Sequence, residues 1–252
     1  MSVTIRNLSF FRGNTPVLQE INADFADNSV TAIIGGNGSG KSTLLKVMAG
    51  ILKYSAGSLL LDSREVASFP VKVLARKRAI LLQNPAAPPE LSVNELLKLA
   101  RFAFDTGKKY DQDVIDKALA DTGCTALAGR RIGTLSGGEF RKVFLAMALA
   151  QEPELLLLDE VEAGLDADFC RKLPALLRKL IVERHLTVVM VMHDLDLALH
   201  CATDILGIAD GKIRLAVKNS ADAADQLKAF TSGAMHISTG PDGHLNARLN
   251  YF

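Results

Sequence analysis

The stretch Gly35-Gly36-Asn37-Gly38-Ser39-Gly40-Lys41-Ser42-Thr43 narrows what this chain can fold into more than any other. Val30-Thr31-Ala32-Ile33-Ile34 leads into it as an apolar run, and Leu44-Leu45-Lys46-Val47-Met48-Ala49 follows with helical periodicity. A strand, a glycine-rich turn and a helix start, in that order, are the setting of a phosphate-binding P-loop. Glycines let backbone N–H groups converge on phosphate oxygens because no Cβ stands in the way. The helix beginning near Lys41 adds unpaired N–H groups and a partial positive charge. In such a loop Lys41 reaches the β- and γ-phosphates, and the Ser42 hydroxyl ligates Mg²⁺. The pattern alone leaves kinase, GTPase, motor and transporter open.

At 252 residues the chain can hold one large α/β domain, or a core with a subdomain. Its net charge of +1 offers no electrostatic argument for nucleic acid, and no long basic run suggests lipid. Cys124, Cys170 and Cys201 are odd in number and widely spaced, which favours buried reduced thiols over a disulfide or a metal site. Met1-Ser2-Val3-Thr4-Ile5-Arg6 lacks a basic segment followed by an apolar one, so no signal peptide is expected. No apolar run approaches the ~20 residues that span a bilayer, so any membrane role comes through a partner.

Residues 3–10 and 17–25 read as strands around the turn residues Gly13-Asn14-Thr15-Pro16. Gly50 ends the P-loop helix, and short strands follow at 58–62 and 78–82, before Gln83-Asn84-Pro85. Ser92-Val93-Asn94-Glu95 is a capping box, and 111–120 has a second helical pattern, so 90–135 reads as a helical insertion. Helix then alternates with strand: helices at 137–150, 168–183 and 194–201, apolar strands at 155–158 and 187–192. That alternation predicts an α/β fold with a mainly parallel sheet covered on both faces. Asp210-Gly211 predicts a hairpin, a helix is expected near 220–231, and Pro241-Asp242-Gly243 predicts a second hairpin between 236–238 and 244–251.

Several polar residues sit where this sheet would bind a ligand. Asp159-Glu160 follow the strand 155–158, at the carboxyl end where α/β sheets hold ligands. Asp159 is placed to hold Mg²⁺ opposite Ser42, and Glu160 to polarise a water for in-line attack on a γ-phosphate. His193 ends the next strand and can bond the γ-phosphate or the attacking water, while Gln83 opens a loop at a further strand end. Leu135-Ser136-Gly137-Gly138-Glu139 then begins a helix with a second anion-receptive N-terminus about a hundred residues downstream. A lone P-loop enzyme has no use for it, whereas a protein that sandwiches ATP between two copies has.

With that motif in place, residues 3 to about 215 resemble the ATP-binding subunit of an ATP-binding-cassette (ABC) transporter. The motifs stand in family order: P-loop at 35–43, Q-loop at Gln83, signature at 135–139, Walker B at 155–160, D-loop ending at Leu165-Asp166, and switch histidine His193. The helical stretch Ala100-Arg101-Phe102 and the run Met147-Ala148-Leu149-Ala150-Gln151 further resemble importers of the iron-siderophore, haem and cobalamin type.

The resemblance implies an ATP-hydrolysing enzyme with an antiparallel-β and RecA-like core at 1–89 and 136–215. A helical subdomain at 90–135 and a C-terminal α/β extension at 216–252, of no assigned role, complete it. It implies that Lys41, Gln83, Glu160 and His193 serve catalysis, and that Ser42, Gln83 and Asp159 surround Mg²⁺. Residues 35–43 together with Arg12 would hold one chain's ATP, which Ser136, Gly137, Gly138 and Asp166 would close from another chain. Expected partners are a second copy or a similar chain, two membrane-spanning permease subunits docking near 83–91, and a solute-binding protein, with no nucleic acid. The expected location is the cytoplasmic face of the cell membrane, reached through those subunits.

Three positions depart from the family pattern. Arg12 stands where a tyrosine usually stacks on adenine, beside Phe10 and Phe11, and a guanidinium can stack on a base. Val161-Glu162 replace the usual Pro-Thr, which removes a rigid proline and a hydroxyl from the loop joining the two ATP sites. Glu139 replaces glutamine and adds a charge near ATP. An exporter subunit and a soluble ABC ATPase acting on DNA or ribosomes are the competing readings. The latter lacks support from a long coiled coil, a second cassette or a basic segment.

Overall fold

Three strands that are buried along their whole length decide the architecture. In the computed structural model, which describes residues 1–240 and 243–249, the strands are β1 (Val3–Arg12), β2 (Thr15–Phe25), β3 (Val30–Ile34), β4 (Ala56–Leu61), β5 (Arg64–Glu65), β6 (Arg78–Leu81), β7 (Leu155–Asp159), β8 (Thr187–Val191), β9 (Asp204–Ala209), β10 (Lys212–Lys218), β11 (Met235–Thr239) and β12 (Leu245–Leu249). The helices are α1 (Lys41–Met48), α2 (Val71–Lys77), α3 (Val93–Ala100), α4 (Lys108–Asp121), α5 (Gly137–Ala150), α6 (Ala167–Arg184), α7 (Leu195–Cys201) and α8 (Ala224–Phe230). Every residue of β3, β7 and β8 is buried. Such strands need cover on both faces.

They receive it in a six-stranded sheet ordered β10-β9-β3-β8-β7-β6, in which every pair except β10 with β9 is parallel. Alternate side chains go to opposite faces, as the strand period of two requires. Leu156 and Leu158 of β7, with Val188 and Met190 of β8, join a core shared with α3, α4, α5, α6 and α7. Leu155, Leu157, Val189 and Val191 join the other core, beneath α1 and an antiparallel sheet ordered β2-β1-β4-β5. The protein is thus an α/β fold with a mostly parallel sheet and a small antiparallel one.

Between Ser92 and Ser136 lie α3, α4 and two single-turn 3₁₀ helices, with one isolated bridge between Ser92 and Arg131 as the extended pairing. Ser92 and Glu95 form the capping box that the sequence predicts. After β10, which runs on to Lys218, α8 and the β11–β12 hairpin pack back onto the parallel sheet. Ala247 N–H donates to Asp196 of α7 over 2.9 Å, and the Phe230 ring lies against Gly207 of β9. Among the described residues no helix is long and apolar enough to cross a membrane.

Some elements differ from the sequence expectation. Thr15 and Pro16 continue β2, so the first turn is Gly13-Asn14 alone. Pro16 is tolerated because strand β2 is at the sheet edge. Helix α2 is unpredicted: Leu74 is its one buried residue, and Val71 and Val73 face solvent, so no apolar stripe marks it. The Asp210-Gly211 turn is as predicted, both residues having positive φ. Pro241, Asp242, Asn250 and Tyr251 of the second predicted hairpin lie outside the described residues. The three cysteines are free, with Cys170 only half-buried.

A Cβ at Gly207 would lie 2.7 Å from the Phe230 ring and 2.8 Å from Leu215. Gly207→Ala should therefore cost about 1–3 kcal/mol through overpacking. Thermal denaturation checks this: a lowered midpoint is expected, partly restored by adding Phe230→Ala. An unchanged midpoint would mean that the C-terminal segment does not press on β9.

Candidate nucleotide site

The glycine-rich turn leaves β3 at the carboxyl edge of the sheet and is pressed against it. A Cβ at Gly35 would sit 2.1 Å from the Ile208 carbonyl, and its φ of 147° suits only glycine. The turn then feeds α1, whose first residue is Lys41. The Lys41 ammonium is 5% exposed and donates to the carbonyls of Gly35 and Gly36 at 2.8 and 2.9 Å. An ammonium has three donors, so one remains for a ligand. Burial lowers the Lys41 pKa, and the charges of Glu160 and Asp159 pull it back up.

Residues 37–43, with Arg12, Val17 and Glu160, line a cavity of about 250 Å³ at this turn. Ser39 Oγ is buried there without a partner. An orphaned hydroxyl, a spare ammonium donor and the open N-terminus of α1 together fit a polyphosphate. Arg12 lines the cavity, while Phe11 is 45% exposed and Phe10 packs against the core. Val17, which the sequence did not single out, comes to the cavity from β2.

Ser42 Oγ donates to Asp159 Oδ1 over 2.7 Å. Burial raises the Asp159 pKa, the Ser42 bond works against the rise, and Glu160 adds to it. A buried carboxylate and a hydroxyl in contact at the mouth of a phosphate cavity form a hard oxygen pair, the donor type that Mg²⁺ takes alongside phosphate oxygens. The two side chains fit that ion.

Glu160 stands next to them with φ of 51°, a left-handed conformation costing about 1–2 kcal/mol for a non-glycine residue. Its N–H donates to Val191 O at 3.0 Å, which holds the strained turn to β8. One carboxylate oxygen accepts from the Gln83 amide, and the other lies 2.6 Å from His193 Nε2. A carboxylate only accepts, so the imidazole carries its proton on Nε2. Gln83 therefore meets Glu160 in this structure and does not join Ser42 and Asp159. The His193 backbone N–H donates to Glu162 Oε1 over 2.7 Å, a contact between residues 31 apart that no local pattern announces.

Ser136, Gly137 and Gly138 form the N-terminus of α5, apart from the residues that line the cavity. Ser136 Oγ caps Glu139 N–H, and Ser136 N–H and Oγ both donate to Glu139 Oε2 at 2.8 and 2.9 Å. Arg130 pairs with Glu139 Oε1 at 2.9 Å. The Ser136 bonds, then Arg130, hold the Glu139 pKa below the usual range. The added charge of the signature is thus balanced by Arg130, nine residues earlier in the chain. Asp166 caps α6 through Phe169 N–H and pairs with Lys142 of α5 at 3.0 Å, and a Cβ at Gly138 would lie 3.3 Å from Gly164 O and 3.9 Å from Asp166 N, so signature and D-loop residues form one cluster. The predicted residues fall into two groups: the turn, Lys41, Ser42, Gln83, Asp159, Glu160 and His193 in one, and Ser136 to Gly138 with Asp166 in the other.

Comparison with known proteins gives a consistent answer. Residues 18–163 match the family described as ABC transporter. The petrobactin import ATP-binding protein of Bacillus anthracis is 39% identical over 82% of this chain and 78% of its own length. The ferric enterobactin transport ATP-binding protein of Escherichia coli is 35% identical over 80% of this chain and 76% of its own. Among solved structures, a dimeric post-hydrolysis state of the ATP-binding cassette MJ0796, bound to ADP and Pi, superposes with a TM-score of 0.78. It is 25% identical and covers 86% of this chain and 98% of its own.

Lys41→Ala should weaken binding of a fluorescent ATP analogue by about 10²-fold, the size expected when a buried charged donor is lost. Unchanged affinity would remove Lys41 from phosphate binding.

Proposed function

This chain belongs to the ABC transporter family and hydrolyses ATP, and we propose that it is the energy-coupling subunit of a membrane importer, working as a head-to-tail pair. The observation that carries the proposal is the separation of the two residue groups. The cavity at residues 37–43 is lined without Ser136, Gly137 or Gly138, whose helix N-terminus is a second anion-receptive site. Two copies related by a two-fold axis would place each chain's signature over the other's phosphate cavity. The similar MJ0796 cassette is dimeric in its solved structure, which supports that reading.

In this assignment Lys41 and the N–H groups of residues 36–43 grip the β- and γ-phosphates. Ser42 and Asp159 would hold Mg²⁺, which when bound neutralises phosphate charge, and Gln83 would reach it only on leaving Glu160. Glu160 takes the proton of the attacking water. Each carboxylate oxygen has one contact, to Gln83 or to His193, and a second lone pair that can accept from that water. His193 keeps the imidazole N–H directed at the reaction and steadies the carboxylate while its charge changes. Arg12 stacks on the base.

ATP binding closes the pair and hydrolysis reopens it. The ATP-binding core is residues 1–89 and 136–215, and 90–135 is the helical signature subdomain, which ends where the signature begins. Two permease subunits dock at a groove near 83–91 from the cytoplasmic face, and a solute-binding protein delivers the cargo. The names of the similar proteins support an iron-siderophore complex or cobalamin as that cargo, with haem the third candidate of the same importer type.

Glu160→Gln tests base and pair together. Turnover should fall by about 10²–10⁴, the weight of a general base. Bound ATP should then persist, and light scattering should show the mass doubling on ATP addition. A mass that stays at one chain would contradict the pair, and surviving turnover would reassign the base.

A further inference from the structure

The loop after β7 holds a carboxylate with no partner cation among the described residues. Glu162 is half-buried, makes no ion pair there, and has Oε2 fully buried without a hydrogen bond. A carboxylate in such a position needs a strong bond on its other oxygen.

That bond is to the main chain of His193. Glu160 N–H to Val191 O, at 3.0 Å, is the last backbone bond between the loop and β8. Met192 N–H then turns to Ile33 O at 3.2 Å. The next donor, His193 N–H, goes to Glu162 Oε1 at 2.7 Å. The loop itself is tightly folded, with Ala163 N–H on Glu160 O and Leu165 N–H on Glu162 O, and Val161 fully buried as its anchor. His193 is therefore held at both ends by carboxylates two residues apart: its ring by Glu160 and its backbone by Glu162.

We infer that Glu162 is a positioning residue, which locks the switch histidine to the loop leading into Leu165-Asp166 so that the two move together. The inference rests on the proposed role of His193. Reach is the operative property. At the same backbone position an aspartate falls short by one carbon–carbon bond, ~1.5 Å, and a threonine by two, and even the smaller loss takes a 2.7 Å contact beyond hydrogen-bonding distance. Glutamine keeps both length and acceptor oxygen. Glu162 is not among the residues lining the nucleotide cavity, so its loss acts on turnover and not on ATP affinity.

The test measures the full chain carrying Glu162→Gln, Glu162→Asp or Glu162→Ala, with two readouts. In the Asp and Ala variants, hydrogen exchange at the His193 amide should quicken by about tenfold or more. In both, kcat should fall by about tenfold, equivalent to ~1.4 kcal/mol of barrier, with KM for ATP within about twofold of wild type. Glu162→Gln should resemble wild type in both readouts. Asp and Ala variants that match wild type in exchange and kcat would overturn the inference. So would a Gln variant as impaired as Ala, which would mean that charge and not reach matters. A wild-type chain without turnover would instead sink the ATPase assignment, and the exchange arm would still judge the contact.

Discussion

Ile33, Val191 and Asp159 stand side by side on three parallel strands, and the site depends on that row. Gly35, His193 and Glu160 each leave the sheet within two residues of it. Gln83 follows the fourth strand two residues after Leu81, which pairs with Leu158. A slip of one residue in any of these pairings would turn Asp159 and its neighbours to the opposite face. The register is secured because both faces of β3, β7 and β8 are buried, which leaves no tolerated alternative. Burial of leucine and valine side chains is thus what aims Lys41, Asp159 and Glu160 at one point.

The same sheet explains why charge can be concentrated there. Lys41 and Asp159 are nearly inaccessible, and each is held by the other's neighbourhood: the ammonium by two carbonyls, the carboxylate by Ser42. Glu160, 12% exposed, is strained in φ and tied by Gln83 and His193. A group prepared in this way loses little further freedom at the reaction. The signature end of α5 is built by the opposite rule. Its capping box and the Arg130–Glu139 pair satisfy its side chains locally, with no residue of the phosphate turn involved.

Much of this was legible in the sequence because the deciding signals are local. The strand–turn–helix around Lys41, the capping box at Ser92, the helix start at Ser136 and the Asp210-Gly211 turn are each written within a few adjacent residues. So was the position of Asp159 and Glu160 at a strand end. Contacts that join distant segments were not legible. Helix α2 carries no apolar stripe because it buries only Leu74, and Val17 reaches the cavity only through the pairing of β1 with β2. Glu162 drew notice as a departure from the family pattern, yet its bond to His193 depends on how two loops diverge after their last shared ladder bond. Arg12 and Glu139 show the same limit: identity is visible in the sequence, and partner is not.

In the proposed pair one chain's phosphate turn works with the other chain's signature. Mixing two inactive variants, Lys41→Ala and Ser136→Arg, tests it most directly. In a mixed pair one site carries both defects and the other carries none. The account predicts that each variant alone is inactive and that the mixture regains ATP turnover, up to about a quarter of wild type for equal amounts of freely exchanging chains. A mixture as inactive as its components would contradict it.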